Sequence, residues 1–323
     1  MAHRPRPRFI QPSTRAWVQE ARRTPGYSLF DLLHGYVYAR WPYLYIGTAT
    51  GEHALSRVVS ALVRALSRIF PALRGGPQQP GQVTFADTYH GKVMPVGSAK
   101  RLVTVQQEIR LTDLEHVIPY ARARDIVLQN PDHLVLLDCP CRAGRADPCL
   151  PLDVCLIVGE PFASFVAEHH PQRSRWITGE EATEVLQAEH ERGHVHHAFF
   201  KDAMLGRFYA VCNCCSCCCG AMQAHQNETP MLASSGYVSQ LDEELCIGCG
   251  VCAEMCPFDA ITVPDGRAVV DVSRCMGCGV CVDKCDQGAL SLAREASKGE
   301  PLEIEALMAC TVGVGGVSTV RGN

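Results

Sequence analysis

The 323-residue chain has no stretch of about 18 apolar residues, so a transmembrane helix is not expected. The opening Met1 to Arg15 is basic, broken by proline and followed by no apolar run, and a secretory leader is not expected either. No G-x-G-x-x-G follows a strand-like run, and there is no Walker sequence and no G-x-S-x-G. These gaps give no ground for a nicotinamide, flavin or nucleotide site. The H-E-x-x-H of zinc hydrolases and the C-x-x-C-H of covalent haem attachment are also missing. Lysine is absent from residues 1–75, which carry eleven Arg against Glu20, Asp31 and Glu52, a net of +8 in a chain whose total is −4. With no Lys there and no recognition motif, no nucleic-acid partner is expected.

What the chain does have is cysteine, 19 residues of it. They fall in two blocks, Cys139 to Cys219 and Cys246 to Cys285, with Cys310 apart. Disulfide scaffolds are short and spread their cysteines over loops, whereas clustered thiols in a mid-sized chain point to metal binding in a reducing cytoplasm. A hydrophobic content of 47% and a charged content of 20% are those of an ordinary globular protein long enough for several domains.

The expected class is α+β and multi-domain. A basic, aromatic, helical docking region covers 1–75 and ends at Arg74-Gly75-Gly76-Pro77. A mixed, cysteine-rich α+β domain covers 82–232, a repeated unit covers 236–295, and a tail covers 296–323. Within 82–232, Lys100 to Val105 reads as extended, and Ile118 to Gln129 as a helix stopped by Asn130-Pro131. Thr178 and Glu181 form the capping box of a helix with apolar Ala182, Val185, Leu186 and Ala188, ending at Gly193. His194 to Phe200 and Phe208 to Val211 read as two strands that lead the chain into Cys212–Cys219.

The strongest signal is Cys246-Ile-Gly-Cys249-Gly-Val-Cys252-Ala-Glu-Met-Cys256-Pro257, a complete C-x2-C-x2-C-x3-C-P. It recurs as Cys275, Cys278, Cys281 and Cys285, with Asp286 in place of the proline. Residues Tyr237 to Ala293 thereby resemble the bacterial-type two-[4Fe-4S] ferredoxins. The resemblance implies two [4Fe-4S] clusters in a pseudo-twofold repeat, because the fourth cysteine of each run serves the other cluster. Cys246, Cys249, Cys252 and Cys285 would hold cluster 1, and Cys275, Cys278, Cys281 and Cys256 would hold cluster 2. Pro264-Asp265-Gly266 reads as a turn between two short strands. Zinc is the competing reading of C-x2-C pairs, but two four-cysteine runs in crossing register argue against it.

Ten further cysteines stand upstream: Cys139, Cys141, Cys149 and Cys155, then Cys212, Cys214, Cys215, Cys217, Cys218 and Cys219. Adjacent thiols in a polar run ending in glycine do not read as core. One or two additional iron–sulfur clusters are expected, with Cys139, Cys141, Cys149 and Cys155 the natural third set. A set drawn from both segments stays open, as do a redox dithiol or unusual cluster in Cys212–Cys219 and a zinc site. Cys218-Cys219-Gly220 resembles the CCG motif of heterodisulfide-reductase-like subunits, without that motif's long spaced context.

His190, His194, His196 and His197 gather at the end of the capped helix. His190 and His194, at i and i+4, have zinc-compatible spacing, but histidine is also favoured at a helix C-terminus. Residues 27–47 hold Tyr27, Phe30, Tyr36, Tyr38, Trp41, Tyr43 and Tyr45, and Glu52 to Leu73 is amphipathic with Arg57, Arg64 and Arg68 on its polar side. This stretch, 27–73, can pack on the protein's own core, dock on a partner or lie on a membrane surface.

The expected function is an iron–sulfur electron-transfer protein or subunit of an anaerobic redox complex, working with redox partner proteins. Its place is the cytoplasm, with peripheral contact at the inner face of the membrane as an option. One alternative is a reductase with a catalytic cluster or dithiol in Cys212–Cys219, fed by the ferredoxin domain. Another is a reductive activator or assembly factor of a partner enzyme. No catalytic residue is singled out.

Overall fold

The computed structural model describes residues 10–59, 61–62, 83–112 and 114–314. Three apolar runs, Leu134–Leu137, Val154–Val158 and Ala198–Phe200, are buried along their whole length. Strands buried without alternation must be covered on both faces. They belong to β3 (Ile126–Asp138), β4 (Asp153–Glu160) and β6 (Val195–Lys201). With β1 (Tyr89–Met94), β2 (Ile109–Leu111), β5 (Ser174–Ile177), β7 (Arg207–Cys214) and β8 (Leu232–Ala233) they form an eight-stranded sheet. Its order is β2-β3-β4-β7-β6-β1-β8, with β5 also paired to β3. All pairs are antiparallel except β1 with β8.

Helix Gly179–Glu191 packs on β3, β4, β6 and β7, and helix Phe162–His169 on β3, β4 and β5. Helices Pro12–Ala21 and Leu29–Arg40 cover the latter helix. Trp17 is buried there, edge-on to Phe162 and Phe165 at 5.3 and 4.9 Å. Tyr27 Oη donates to the Ala203 carbonyl (2.7 Å) and Tyr43 Oη to the Asp138 carbonyl (3.0 Å). These aromatics therefore pack on the sheet body. Of the amphipathic stretch 52–73, residues 60 and 63–73 lie outside the described residues.

Several local expectations change. Lys100–Val105 is mostly helix (Val96–Val103), because Ser98, Ala99, Leu102 and Val103 form one buried helical face that outweighs the local β-branched character. Ile118–Gln129 is a set of turns leading into β3. Ile126 and Leu128 are buried in antiparallel register with Leu111 and Ile109. Asn130-Pro131 does not stop that element. Asn130 takes φ +45°, and the pairing with β4 shifts between Gln129 and Leu134, a bulge that tolerates proline. The capping box is half formed: Thr178 Oγ1 accepts from the Glu181 N–H at 3.2 Å, while the Glu181 carboxylate pairs with Arg175. The β6–β7 hairpin forms as expected, and β7 runs on through Cys214.

In the C-terminal region β9 (Tyr237–Leu241) pairs with β12 (Leu290–Arg294), and β10 (Ile261–Thr262) with β11 (Val269–Val270) across the Pro264–Gly266 turn. Helices Val251–Glu254 and Val280–Asp283 occupy matching places in the two cysteine runs. Met276, Cys278 and Val280 join the same core as the large sheet. The chain then returns along that body: Lys92 Nζ donates to the Glu300 carbonyl (2.7 Å), and helix Ile304–Val314 meets β2.

Candidate metal centres

The eight cysteines of the repeated runs line two cavities. Cys246, Cys249, Cys252 and Cys285 surround one of about 20 Å³, and Cys256, Cys275, Cys278 and Cys281 surround another of about 10 Å³. Each set therefore draws its fourth cysteine from the other run. Positive φ at Gly248 and Gly277 brings backbone close: a Cβ at Gly248 would strike the Gly266 backbone, and one at Gly277 the Tyr237 carbonyl. Backbone N–H groups reach sulfur from Ala260 to Cys256 (3.3 Å) and from Ser239 to Cys275 (3.4 Å). The two sets differ in exposure. Cys249 is exposed, whereas Cys275, Cys278 and Cys281 are all buried. Burial pushes the free Cys278 thiol up, and the Cys281 thiol to about 11, so thiolates here need a metal partner.

A third cavity, about 80 Å³, lies where β3, β4 and β7 end. Cys139 caps the short helix Pro140–Ala143 that carries Cys141, Cys155 and Cys212 are cross-strand partners on β4 and β7, and Cys214 ends β7. Cys219 caps helix Gly220–Gln226. All six line the cavity, Cys215 reaches its wall as a seventh, and Arg142, Asn213, Tyr38, Tyr89, Phe199 and Tyr209 stand in the rest of it. Neighbouring thiols face one another in sequence around it: Cys212, Cys155, Cys139, Cys141, Cys219, Cys214. The Cys141 contact and burial push Cys139 up to about 12. Among the described residues no carboxylate stands in the lining.

Cys149 is elsewhere. Its Sγ lies 3.0 Å from Cys217 Sγ, which is 3.6 Å from Cys218 Sγ. These three and Cys215 have all their sulfurs within 4.8 Å of one another. The set Cys139, Cys141, Cys149 and Cys155 is therefore not brought together; three of its members meet Cys212, Cys214 and Cys219 instead. The run Cys212–Cys219 is divided in the same way, because β7 ends at Cys214 and the chain turns before helix Gly220–Gln226.

Behind the six-thiol cavity lies a buried polar network that the cysteine pattern does not announce. Arg142 and Glu189, each 1% exposed, pair at 2.5 Å. Arg142 also donates to the carbonyls of Pro151 (2.6 Å) and Asn213 (3.0 Å), and its buried Nε has no partner among the described residues. The available signal was Glu189 itself, a carboxylate in line with Ala182 and Leu186 on the buried helix face. His194 Nδ1 meets Glu189 Oε2 (2.7 Å) and His190 Nε2 meets Asp283 Oδ2 (2.6 Å), so the i, i+4 histidines do not converge on one ion. His190 stacks on His196 at 5.4 Å, and His196 Nδ1 meets Asn213 Oδ1 at 2.6 Å. Burial lowers His196 to about 3 and also lowers His190, so both are neutral at neutral pH.

Compared with known families, the chain matches the 4Fe-4S binding domain at residues 240–262 and 268–291. Among curated proteins, Protein Pixie of Drosophila melanogaster is 62% identical over 26 residues, which is 8% of this chain. The chain covers 4% of that relative's length. No helix among the described residues is long and apolar enough to cross a membrane. With two complete ligand runs and a matching family at the same residues, the C-terminal region is a ferredoxin-type domain for two [4Fe-4S] clusters.

Proposed function

We propose that the chain carries single electrons between a partner protein and an iron–sulfur centre in the six-thiol cavity, with the ferredoxin-type domain as the wire. The observation that carries this reading is the cavity itself: six convergent thiols, a mostly apolar wall and, among the described residues, no carboxylate, a donor set suited to iron–sulfur ligation. The cavity is also several times larger than the two beside the ferredoxin cysteines, and six donors exceed the four of a cubane. A centre larger than one cubane fits both facts. The unpartnered Arg142 Nε supplies a buried donor and positive charge for an anionic group.

When loaded, such centres supply one-electron carriers whose potentials the surrounding hydrogen bonds tune. The exposure of Cys249 supports the first set as the electron entry point. Buried Cys278 places the second set in the core shared with the sheet. From there Asp283, His190, His196 and Asn213 form a contiguous chain to the cavity wall. Leu29, Phe30 and Leu33, all strongly exposed on helix Leu29–Arg40, are our candidates for partner contact.

Anaerobically purified protein should then hold clearly more than the about eight iron of two cubanes. Cys155→Ala with Cys212→Ala should remove that excess and leave the electron paramagnetic resonance of the reduced ferredoxin-type clusters. About eight iron in the unaltered protein, or an unchanged content in the double variant, would refute the proposal.

A second reading, a reductase acting at the same cavity, draws on its aromatic wall and the buried Tyr38–Tyr209 hydroxyl pair at 2.8 Å. Reductant-driven turnover of a small disulfide, lost on Cys155→Ala but kept on Tyr209→Phe, would favour cluster chemistry without the hydroxyls. Absence of any turnover would leave the relay.

A further inference from the structure

We infer that Cys149, Cys215, Cys217 and Cys218 bind a single zinc ion beside the six-thiol cavity, whose wall Cys215 also reaches. The argument is one of size. Four thiolates on one tetrahedral ion with Zn–S bonds of about 2.3 Å lie about 3.8 Å from one another. Four thiolates on a cubane each take a different iron at a different corner, which spreads them farther apart. The sulfurs of this group all lie within 4.8 Å, with neighbours at 3.0 and 3.6 Å. The ferredoxin cysteines provide the internal comparison. Among the described residues, no other group of three or more His, Cys, Asp or Glu closes to 4.8 Å, and those two sets are among the ones that do not.

The donor set points to zinc. Four cysteines and no fourth-position opening make a closed, structural site. Binding forms four Zn–S bonds and breaks four S–H bonds, releasing four protons to solvent with no change of oxidation state. The resulting net charge of −2 has a cation at hand. Arg145 Nη2 lies 3.4 Å from the Cys218 carbonyl oxygen.

The position gives the ion a task. Cys149 sits in the loop between helix Pro140–Ala143 and β4, and the other three sit in the turn between β7 and helix Gly220–Gln226. Clamping these two segments ties the loop that follows Cys139 and Cys141 to the turn between Cys214 and Cys219, and all four of these cysteines line the six-thiol cavity. The zinc site stands whether or not that cavity holds iron.

The test uses the full chain, purified anaerobically from cells supplied with zinc and iron. Mass spectrometry should find about one zinc per chain, and zinc-edge X-ray absorption a shell of four sulfurs at about 2.3 Å. Cys149→Ser with Cys217→Ser should lose that zinc while acid-labile sulfide stays at the level of the unaltered protein. If the double variant does not accumulate, the absorption spectrum of the unaltered protein decides alone. Absence of zinc, a shell containing nitrogen or oxygen, or iron and sulfide lost together in the double variant would each overturn the inference. Zinc present in a protein whose cavity holds no iron would refute the proposed relay and leave this site intact.

Discussion

Replacing Arg142 by leucine tests whether the buried network behind the six-thiol cavity holds the cavity's shape. The substitution leaves the Glu189 carboxylate, 1% exposed, without its main partner, and strips donors from the carbonyls of Pro151 and Asn213. Breaking a buried pair from one side costs about 3–5 kcal/mol. His194 and Arg192 still touch Glu189, at 2.7 and 2.9 Å, which favours the lower half of that range. At about 2 °C per kcal/mol for a chain this long, the thermal midpoint should fall by about 6–8 °C. Anaerobic calorimetry at one scan rate measures it, since cluster loss makes unfolding irreversible.

The pH dependence supplies an independent arm. Burial alone would raise the Glu189 carboxyl, but the His194 hydrogen bond and the Arg142 charge together hold it below its ordinary 4.5. A depressed carboxyl contributes stability above its unfolded value and loses it as the solution is acidified through the folded one. The midpoint difference between the unaltered protein and Glu189→Gln should therefore shrink as pH drops below about 4.5. A midpoint shift under about 2 °C for Arg142→Leu, or a pH-independent difference for Glu189→Gln, would refute the reasoning.

Burial lowers Lys201 to about 8, so the unfolded chain binds the extra proton between there and 10.5. Stability should rise with pH through that window, and Lys201→Met should flatten the rise in calorimetric scans. Gly277→Ala should strike the Tyr237 carbonyl and release iron from the buried ferredoxin set. Gly250→Ala, at φ +84° but facing open space, should cost only the about 1–2 kcal/mol of a left-handed residue and keep all iron. Asp283→Asn weakens the 2.6 Å contact to His190, and hydrogen exchange at 280–285 should speed up while exchange in β6 does not.

Local chemistry made the ferredoxin-type domain legible in the chain. Its ligands follow one another at x2 and x3 steps, short enough for a single loop and turn of helix to place them, and so the motif carries its own geometry. The helix around Leu186 and the β6–β7 hairpin were legible for the same reason, through capping and apolar period. Lys100–Val105 was not, because its conformation is set by the face it buries against other elements rather than by its own residues. The division of the ten middle cysteines was out of reach in the same way. Cys155 meets Cys212 because β4 and β7 are neighbours in the sheet, and Cys149 meets Cys217 because the loop before β4 and the turn after β7 lie at the same end of these two strands. Sequence spacing determined that these thiols are too many and too crowded to be core. Only the tertiary structure decided which sulfurs face one another, since partners more than fifty residues apart are chosen by strand order and by the buried Arg142–Glu189 pair that sets the cavity wall.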